Sequence, residues 1–486
     1  MCLKFNREGW LTMIGKMLKK TEAKPLAQGP GAGVPFIFSV DQGDGKAVRR
    51  AILQLTGPSL VEMLLINFMQ MLSMILVGRV GAEAVAAVGL TSSVYFLLIA
   101  AFMTLDTGTT VIVARAVGAG NIQEANHAAN QSIMMNIVMS IVVIVLGYTF
   151  AGDLLRIMGA SDSVVAQGKR YAEILFLSTG FNTISMVLTS ILRGTGDTRT
   201  PMKINVLSNI LIVALGFPLI YGFMGIQGMG VTGAAIATLI AQFISMVWVV
   251  LVMFSGKCTI RLSWNGLLRP ERKMLGRILK LGLPAAIEQV AMRGGMLLFV
   301  TVAASLGTSA LAATQISFNI FGLTFMPGMA FSIASSTLVG MALGAGKPDL
   351  AEKYGWQVRK MGMFIYGAMG LLFILFAPYL VMLYSTDPNV IEQGAIGLRI
   401  MGFIQVSAGT QFILGGALRG AGDTRYPLYV TLIGVWGFRV LFSLIFVYLL
   451  HWNIAGIWLA AAADQFVRSL LIVRRYKRGS WKLLKV

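Results

Sequence analysis

The sequence predicts an all-α integral membrane protein. It reads as twelve transmembrane helices in two parallel six-helix repeats around a central cleft. Three observations carry this. Of 486 residues, 56% are hydrophobic and 12% charged, with a mean hydropathy of +0.76. A soluble domain carries about 25% charged residues, so this much apolar side chain cannot be hidden in one water-soluble core. The apolar residues also fall in runs of about 20, the length of a helix crossing the hydrocarbon layer, whereas barrel strands would alternate. Finally, the chain repeats itself at an interval of 226 residues.

The spans fall at about 52–78, 91–114, 128–151, 166–192, 202–222 and 230–254, then 281–305, 317–340, 361–384, 392–418, 428–450 and 456–473. In lipid every backbone polar group must be satisfied within its own segment, so these runs are helices. They divide the chain into a basic N-terminal segment (1–50), an N-terminal bundle (51–255), a linker (256–280), a C-terminal bundle (281–473) and a basic tail (474–486). Residues 1–50 lack a short apolar region with a cleavage site, so no signal peptide is expected.

The net charge of +20 reports orientation. With the N-terminus in the cytoplasm, 32 of 40 lysines and arginines fall on the cytoplasmic side, and only Arg79 and Arg156 fall in outer loops. This bias sets both termini in the cytoplasm and makes nucleic acid an unneeded partner. Cys2 and Cys258 both fall in cytoplasmic segments, so neither a disulfide framework nor a metal site is expected.

The 226-residue register relates Pro58 to Pro284, Glu62 to Glu288, Gly81 to Gly307 and Gly118 to Gly344. Six spans is an even number, so both halves enter the membrane from the same side. They are expected to be related by a pseudo-two-fold axis along the membrane normal, with a cavity between them. The register also relates "RGTGDTRTP" (193–201) to "RGAGDTRYP" (419–427), identical at seven of nine positions. In each copy the glycines (Gly194, Gly196; Gly420, Gly422) suit a tight turn. Asp197 or Asp423 suits a helix cap, with Pro201 or Pro427 in the first turn. Arg193 and Arg419 suit the cytoplasmic interface. The motif reads as a structural hinge or cap, with gating as the functional alternative. No Walker lysine follows, which argues against nucleotide binding.

At this point the chain resembles the MATE (multidrug and toxic compound extrusion) family of the multidrug/oligosaccharidyl-lipid/polysaccharide exporter superfamily. The resemblance rests on "LRGTGDTRTP" and "LRGAGDTRYP" after the fourth and tenth spans, "ARAVGAGN" and "MALGAGK" after the second and eighth, "GLPAAIEQVAMR" opening the seventh and "ADQFVR" in the twelfth. It covers about residues 50–480. It implies a V-shaped pair of bundles that alternates between inward and outward states. Such proteins export organic cations and other amphipathic compounds in exchange for Na⁺ or H⁺. Many relatives carry an aspartate midway along the first helix, where this chain has Ser73. Many also place an asparagine and an aspartate in the fifth, where this chain has Val213 and Phe217.

Ionisable residues inside a span are costly and mark function by default. Asp464 and Arg468 are four apart and read as a neutralised pair. Glu173, beside Lys169 and Arg170, reads as an interfacial cluster, and Arg399 as a snorkelling side chain. Arg439 has no local partner and is left between the cavity and a polar interface. Glu62 and Glu288 each lie four residues after a proline. They read either as hydrogen-bond acceptors at the proline breaks or as cation-coupling groups. Asp106, in "FMTLDTGTT", has no basic neighbour in sequence, and its counterpart is Ser332. It is a candidate to exchange a proton, or to hold Na⁺ with Thr104, Thr107 and Thr109. The alternative is a polar neighbour from another helix and no transport role.

Asn67, Gln70, Gln289, Arg293, Gln315, Asn319 and Gln405 are candidates to line a substrate cavity, Gln289 and Gln315 foremost. Interhelical hydrogen bonding is the structural alternative. Methionine (29 residues) suits adaptable surfaces but mostly packs or faces lipid. The expected activity is secondary active antiport of organic cations or amphipathic drugs or metabolites from a monomer in the plasma membrane, with Na⁺ or H⁺ as coupling ion and no cofactor. The runner-up is a flippase for a lipid-linked precursor, which needs a cationic cavity that only Arg293 and Arg439 are placed to supply. A channel is disfavoured by the duplication. An enzyme is disfavoured because His127 and His451 fall on opposite sides of the membrane and no nucleophile–base pair appears.

Overall fold

A computed structural model of the chain describes residues 45–78, 82–223, 226–256, 258–262 and 270–484. The basic segment up to residue 44 with Cys2, Arg79, Gly81, linker residues 257 and 263–269, and Lys485 lie outside the described residues.

Among the described residues, twelve long helices follow the twelve predicted spans. The first half comprises α1 (Gly45–Gly78), α2 (Ala82–Gly118), α3 (Ile122–Thr149), α4 (Asp162–Gly194), α5 (Arg199–Tyr221) and α6 (Val231–Phe254). The second comprises α7 (Arg272–Ser305), α8 (Thr308–Gly344, interrupted at Leu323 and Thr324), α9 (Pro348–Met382), α10 (Pro388–Gly420), α11 (Arg425–Leu449) and α12 (Asn453–Arg478). A short helix, Ala151–Ile157, joins α3 to α4, and a two-residue hairpin, Gly222–Phe223 with Ile226–Gln227, joins α5 to α6. In α11 the residues Ile433–Val440 and Ile445–Leu449 are π-helical.

The helices outrun the apolar spans. The first bundle begins at Gly45 instead of 51. The second begins at Arg272 instead of 281 and runs to Arg478 instead of 473. Hydropathy marks only the stretch inside hydrocarbon. A 35-residue helix such as α9 is about 52 Å long, against about 30 Å of hydrocarbon, and its first turns carry Asp349, Glu352 and Lys353. The basic tail is folded onto the bundle. After Gly479 it forms a 3₁₀ turn, Ser480–Leu483, with Trp481 fully buried and stacked on Tyr476 at 4.7 Å.

The end of the bundle that carries both repeated motifs is here termed the motif face. There the two halves interlock. Val48, Ile52 and Leu55 of α1 are buried in the core of the second half, among Leu338, Tyr354 and Leu418. Their equivalents 226 residues on, Met274, Ile278 and Leu281 of α7, are buried in the core of the first half, among Val113, Ala129 and Leu188. Each half thus lends the start of its first helix to the other. Hydrophobic side chains re-exposed to water would cost about 1.5–3 kcal/mol each, so this exchange holds the motif face shut. Between α2 and α8 the contact is main chain on main chain. A Cβ on Gly118 would collide with the Met341 carbonyl, and one on Gly344 with the Arg115 carbonyl.

Candidate functional site: two carboxylate–arginine clusters

The motif turns are built as the sequence suggested. Gly196 and Gly422 both sit at φ 86°, a left-handed conformation that glycine takes without steric cost. Asp197 caps α5, its Oδ1 accepting from the Arg199 and Thr200 amides at 3.0 Å each. Asp423 does not repeat this arrangement; it pairs with Arg475 of α12 at 2.8 Å. The first motif also repairs α1. Pro58 lacks an N–H, which frees the Gln54 carbonyl, and the Thr198 hydroxyl donates to that oxygen at 3.4 Å.

Each motif arginine reaches into its own half to grip the glutamate beyond the proline. Arg193 Nη2 lies 2.5 Å from Glu62 Oε1, and Asn205 Nδ2 donates to the same oxygen at 2.5 Å. In the second half Arg419 Nη1 lies 3.2 Å from Glu288 Oε2, and Thr431 donates to Glu288 Oε1 at 3.0 Å. Glu62 and Glu288, Arg193 and Arg419, and Asn205 and Thr431 are all 226 apart. Both glutamates therefore accept hydrogen bonds near proline breaks, from partners on other helices. Asn205 and Thr431 went unnoticed in the sequence. The available signal was position: each stands four residues after its motif proline, as each glutamate stands four after Pro58 or Pro284.

The two clusters differ in charge. Asp106, half-buried on α2, faces the Ser190 hydroxyl and the Arg193 guanidinium. Arg193 pairs with Glu62 and acts on Asp106 through its charge alone, and the formal sum of the three is −1. In the second half Ser332 replaces Asp106, and its hydroxyl occupies the space a side chain at Gly416, the equivalent of Ser190, would need. That cluster is neutral. Glu62 Oε2 and Arg193 Nε are buried and unpartnered.

A second set of buried charges lies deep in the second half. Asp464 is bonded by Arg468 Nη2 at 2.8 Å, as their spacing predicted. Arg439 Nη2, from the π-helical part of α11, closes on the same carboxylate at 2.7 Å. Arg439 therefore faces a polar interface and not the cleft. Its formal sum with Asp464 and Arg468 is +1.

The cavity candidates are dispersed. Asn67 donates to Met326 Sδ at 2.6 Å and Gln289 to Met103 Sδ at 3.8 Å, both contacts bridging the halves. Gln70, Arg293, Gln315 and Asn319 are exposed, and the Gln315 carbonyl accepts from Asn319. Gln405 is fully buried within the second half. Glu173 pairs with Arg170 at 3.3 Å, and Arg399 is exposed. His127 contacts Glu271 at the motif face.

One further contact had no sequence signal. Arg115, at the end of α2, donates to the Leu484 carbonyl of the tail at 2.7 Å and to the Ala421 carbonyl of the second motif at 3.2 Å. It ties the first half to the tail across the motif face.

A family model described as MatE matches residues 58–221 and 284–445, once per half. The "probable multidrug resistance protein NorM" of Thermotoga maritima is 29% identical over 440 residues, covering 90% of this chain and 93% of that one. The "uncharacterized transporter YisQ" of Bacillus subtilis is 27% identical over 431 residues, covering 89% and 94%. A MOP superfamily transporter from Pyrococcus furiosus superposes with a TM-score of 0.85 at 25% identity, over 94% of this chain and 100% of that one. An outward-facing multidrug resistance MATE transporter superposes equally well, at 0.85 and 24% identity. Two matched halves, interlocked at the motif face and each carrying its own glutamate–arginine pair, agree with these likenesses: the chain is a multi-pass membrane protein and belongs to the MatE family of transporters.

Proposed function

We propose that the protein is a secondary active exporter of organic cations or amphipathic drugs or metabolites, driven by inward movement of H⁺ or Na⁺. In this reading it acts from the plasma membrane as a monomer, with the motif face and both termini in the cytoplasm. The observation that carries the coupling role is the charge imbalance of the first cluster. Glu62 takes the Arg193 guanidinium as its ion-pair partner, Asp106 is left with only the field of that charge, and one Glu62 oxygen has no hydrogen-bond partner. A deficit of one positive charge inside a membrane domain is costly, and one proton or one Na⁺ at Asp106 removes it. Ser190 stands beside Asp106 as a further oxygen ligand for Na⁺ or a hydrogen-bond partner of the protonated carboxyl. In the second half, Glu288 is neutralised within its own cluster and is the lesser candidate.

The closed motif face corresponds to an outward-open state in this orientation. Loading the cluster, which lies beside the motif arginine, is the step that permits exchange of states. The names of the relatives support drug export. A flippase for an anionic lipid precursor is not favoured, because Arg439 is consumed by Asp464.

The test is efflux of a fluorescent organic cation from cells lacking their own pumps, under an imposed Na⁺ gradient and then under a proton gradient alone. Export should follow one gradient, and Asp106→Asn should abolish it while the protein remains inserted. Unchanged efflux by Asp106→Asn removes the coupling role. No export under either gradient removes the exporter.

A further inference from the structure

The start of α1 has two faces. Val48, Ile52 and Leu55 point into the second half, as described. The other face presents Lys46, Arg49 and Arg50, which with Arg199 at the start of α5 line an open pocket of about 450 Å³ floored by Leu53 and Pro58. All four cations are exposed. Lys46 and Arg50 have partners of their own. Among the described residues, no acid pairs with Arg49 or with the Arg199 guanidinium. Among the described residues the acid beside the pocket is Asp197, and it spends its oxygens on the α5 cap. The positive ends of two helix dipoles, those of α1 and α5, lie at the same place. The apolar spans begin at about residues 52 and 202, so the cations sit at headgroup depth while Leu53 and Pro58 reach the edge of the hydrocarbon.

Duplication does not explain this cluster. At the equivalent positions of the second half, Lys46 and Arg199 are matched by Arg272 and Arg425, but Arg49 and Arg50 are matched by Leu275 and Gly276. The arginine pair belongs to the first half alone.

We propose that this pocket binds the phosphate headgroup of an anionic phospholipid, held by Arg49 and Arg199 and flanked by Lys46 and Arg50, with an acyl chain lying along Leu53 and Pro58. A cation near the surface of an anionic leaflet gains about 1 kcal/mol, and this pocket concentrates four. The lipid bridges α1 to α5 at the point where α1 crosses into the other half, and so stabilises the closed motif face. The site is independent of the transported substrate and of the coupling ion.

The experiment uses the full-length protein in detergent and reads its thermal unfolding midpoint. Dioctanoyl phosphatidylglycerol, dioctanoyl phosphatidylcholine and inorganic phosphate are titrated separately. The midpoint should rise with phosphatidylglycerol only. In Arg49→Gln/Arg199→Gln the half-saturating concentration should increase about 30-fold. The matched variant of the second half, Arg272→Gln/Arg425→Gln, should respond like the unaltered protein. If the double variant fails to fold, Arg49→Gln alone should still shift the titration about 5-fold. An equal response to phosphatidylcholine, or an unshifted Arg49→Gln, overturns the site. An equal response to inorganic phosphate overturns the lipid as its ligand. An equal loss in the second-half variant reduces the effect to general surface charge.

Discussion

Arg193 and Glu62 stand 131 residues apart in the chain and 2.5 Å apart in the structure, and the pairing recurs as Arg419 with Glu288 at 3.2 Å. The two pairs differ in burial: the Glu62 side chain is 0% exposed, whereas Glu288 is 15% exposed. Removing one partner of a buried pair strands a charge, at a cost of about 3–5 kcal/mol. A pair with some access to solvent loses less. Arg193→Ala, which strands the fully buried Glu62 and removes the positive field on Asp106, should therefore lower the unfolding midpoint in detergent clearly more than Arg419→Ala. Adding Glu62→Gln to Arg193→Ala should recover part of the loss. An equal drop from the two arginine variants would contradict the deeper burial of the Glu62 pair.

The exchanged helix starts make a matched prediction. Ile52→Ser and Ile278→Ser should each weaken the closed motif face, by lost burial and by an added hydroxyl. Spin labels at positions 123 and 349 should report a broader, longer distance distribution in both variants. An unchanged distribution in either would mean that the interlock does not govern closure.

The folded tail should respond to both packing and pH. Trp481→Ala removes a fully buried indole, a loss of about 3–5 kcal/mol, and should expose Lys482 to trypsin. Lys482 lies 2.6 Å from Glu352 and 3.3 Å from Asp349. The hydrogen bond to Glu352, more than any other influence, raises its ammonium above the ordinary value of 10.5. A raised lysine contributes fully below its unfolded value and loses that contribution as pH climbs through the folded one. Tail cleavage in the unaltered protein by subtilisin, which works at alkaline pH and does not require a charged lysine, should thus stay slow from neutral pH to about 10.5 and accelerate only beyond. Acceleration near neutral pH would show that Lys482 does not hold the tail.

Cys258 offers a native chemical probe. Burial, and secondarily the Asp197 carboxylate, push its thiol above the ordinary 9.0. Only the thiolate is nucleophilic. In a Cys2→Ser background, alkylation by iodoacetamide should be slow at neutral pH and rise above pH 9, and Asp197→Asn should modestly speed it. Rapid reaction at neutral pH would contradict the buried setting.

Much of this architecture was legible in the chain. The spans followed from apolar run length, and the duplication from a constant register. Asp464 and Arg468 could be paired because a helix brings residues four apart together. What stayed hidden lay between helices. The register showed Glu62 to be the equivalent of Glu288, and Arg193 of Arg419, but no local spacing shows that a residue of α1 meets one of α4. Arg439 and Asp106 looked unpartnered for the same reason. The starts of α1 and α7 were missed as helix because they leave the hydrocarbon and mix charged with apolar residues. Those same turns proved to be the interlock.

The α2–α8 contact has one more consequence. Its matching parts are glycines and carbonyl oxygens, so there is little side chain at the crossing for substitution to alter. Other equivalent positions have diverged in charge: aspartate stands against serine at 106 and 332, arginine against leucine at 49 and 275. A joint made of main chain lets two copies diverge, one keeping a surplus carboxylate and the other neutral, without losing the fit that makes them a single machine.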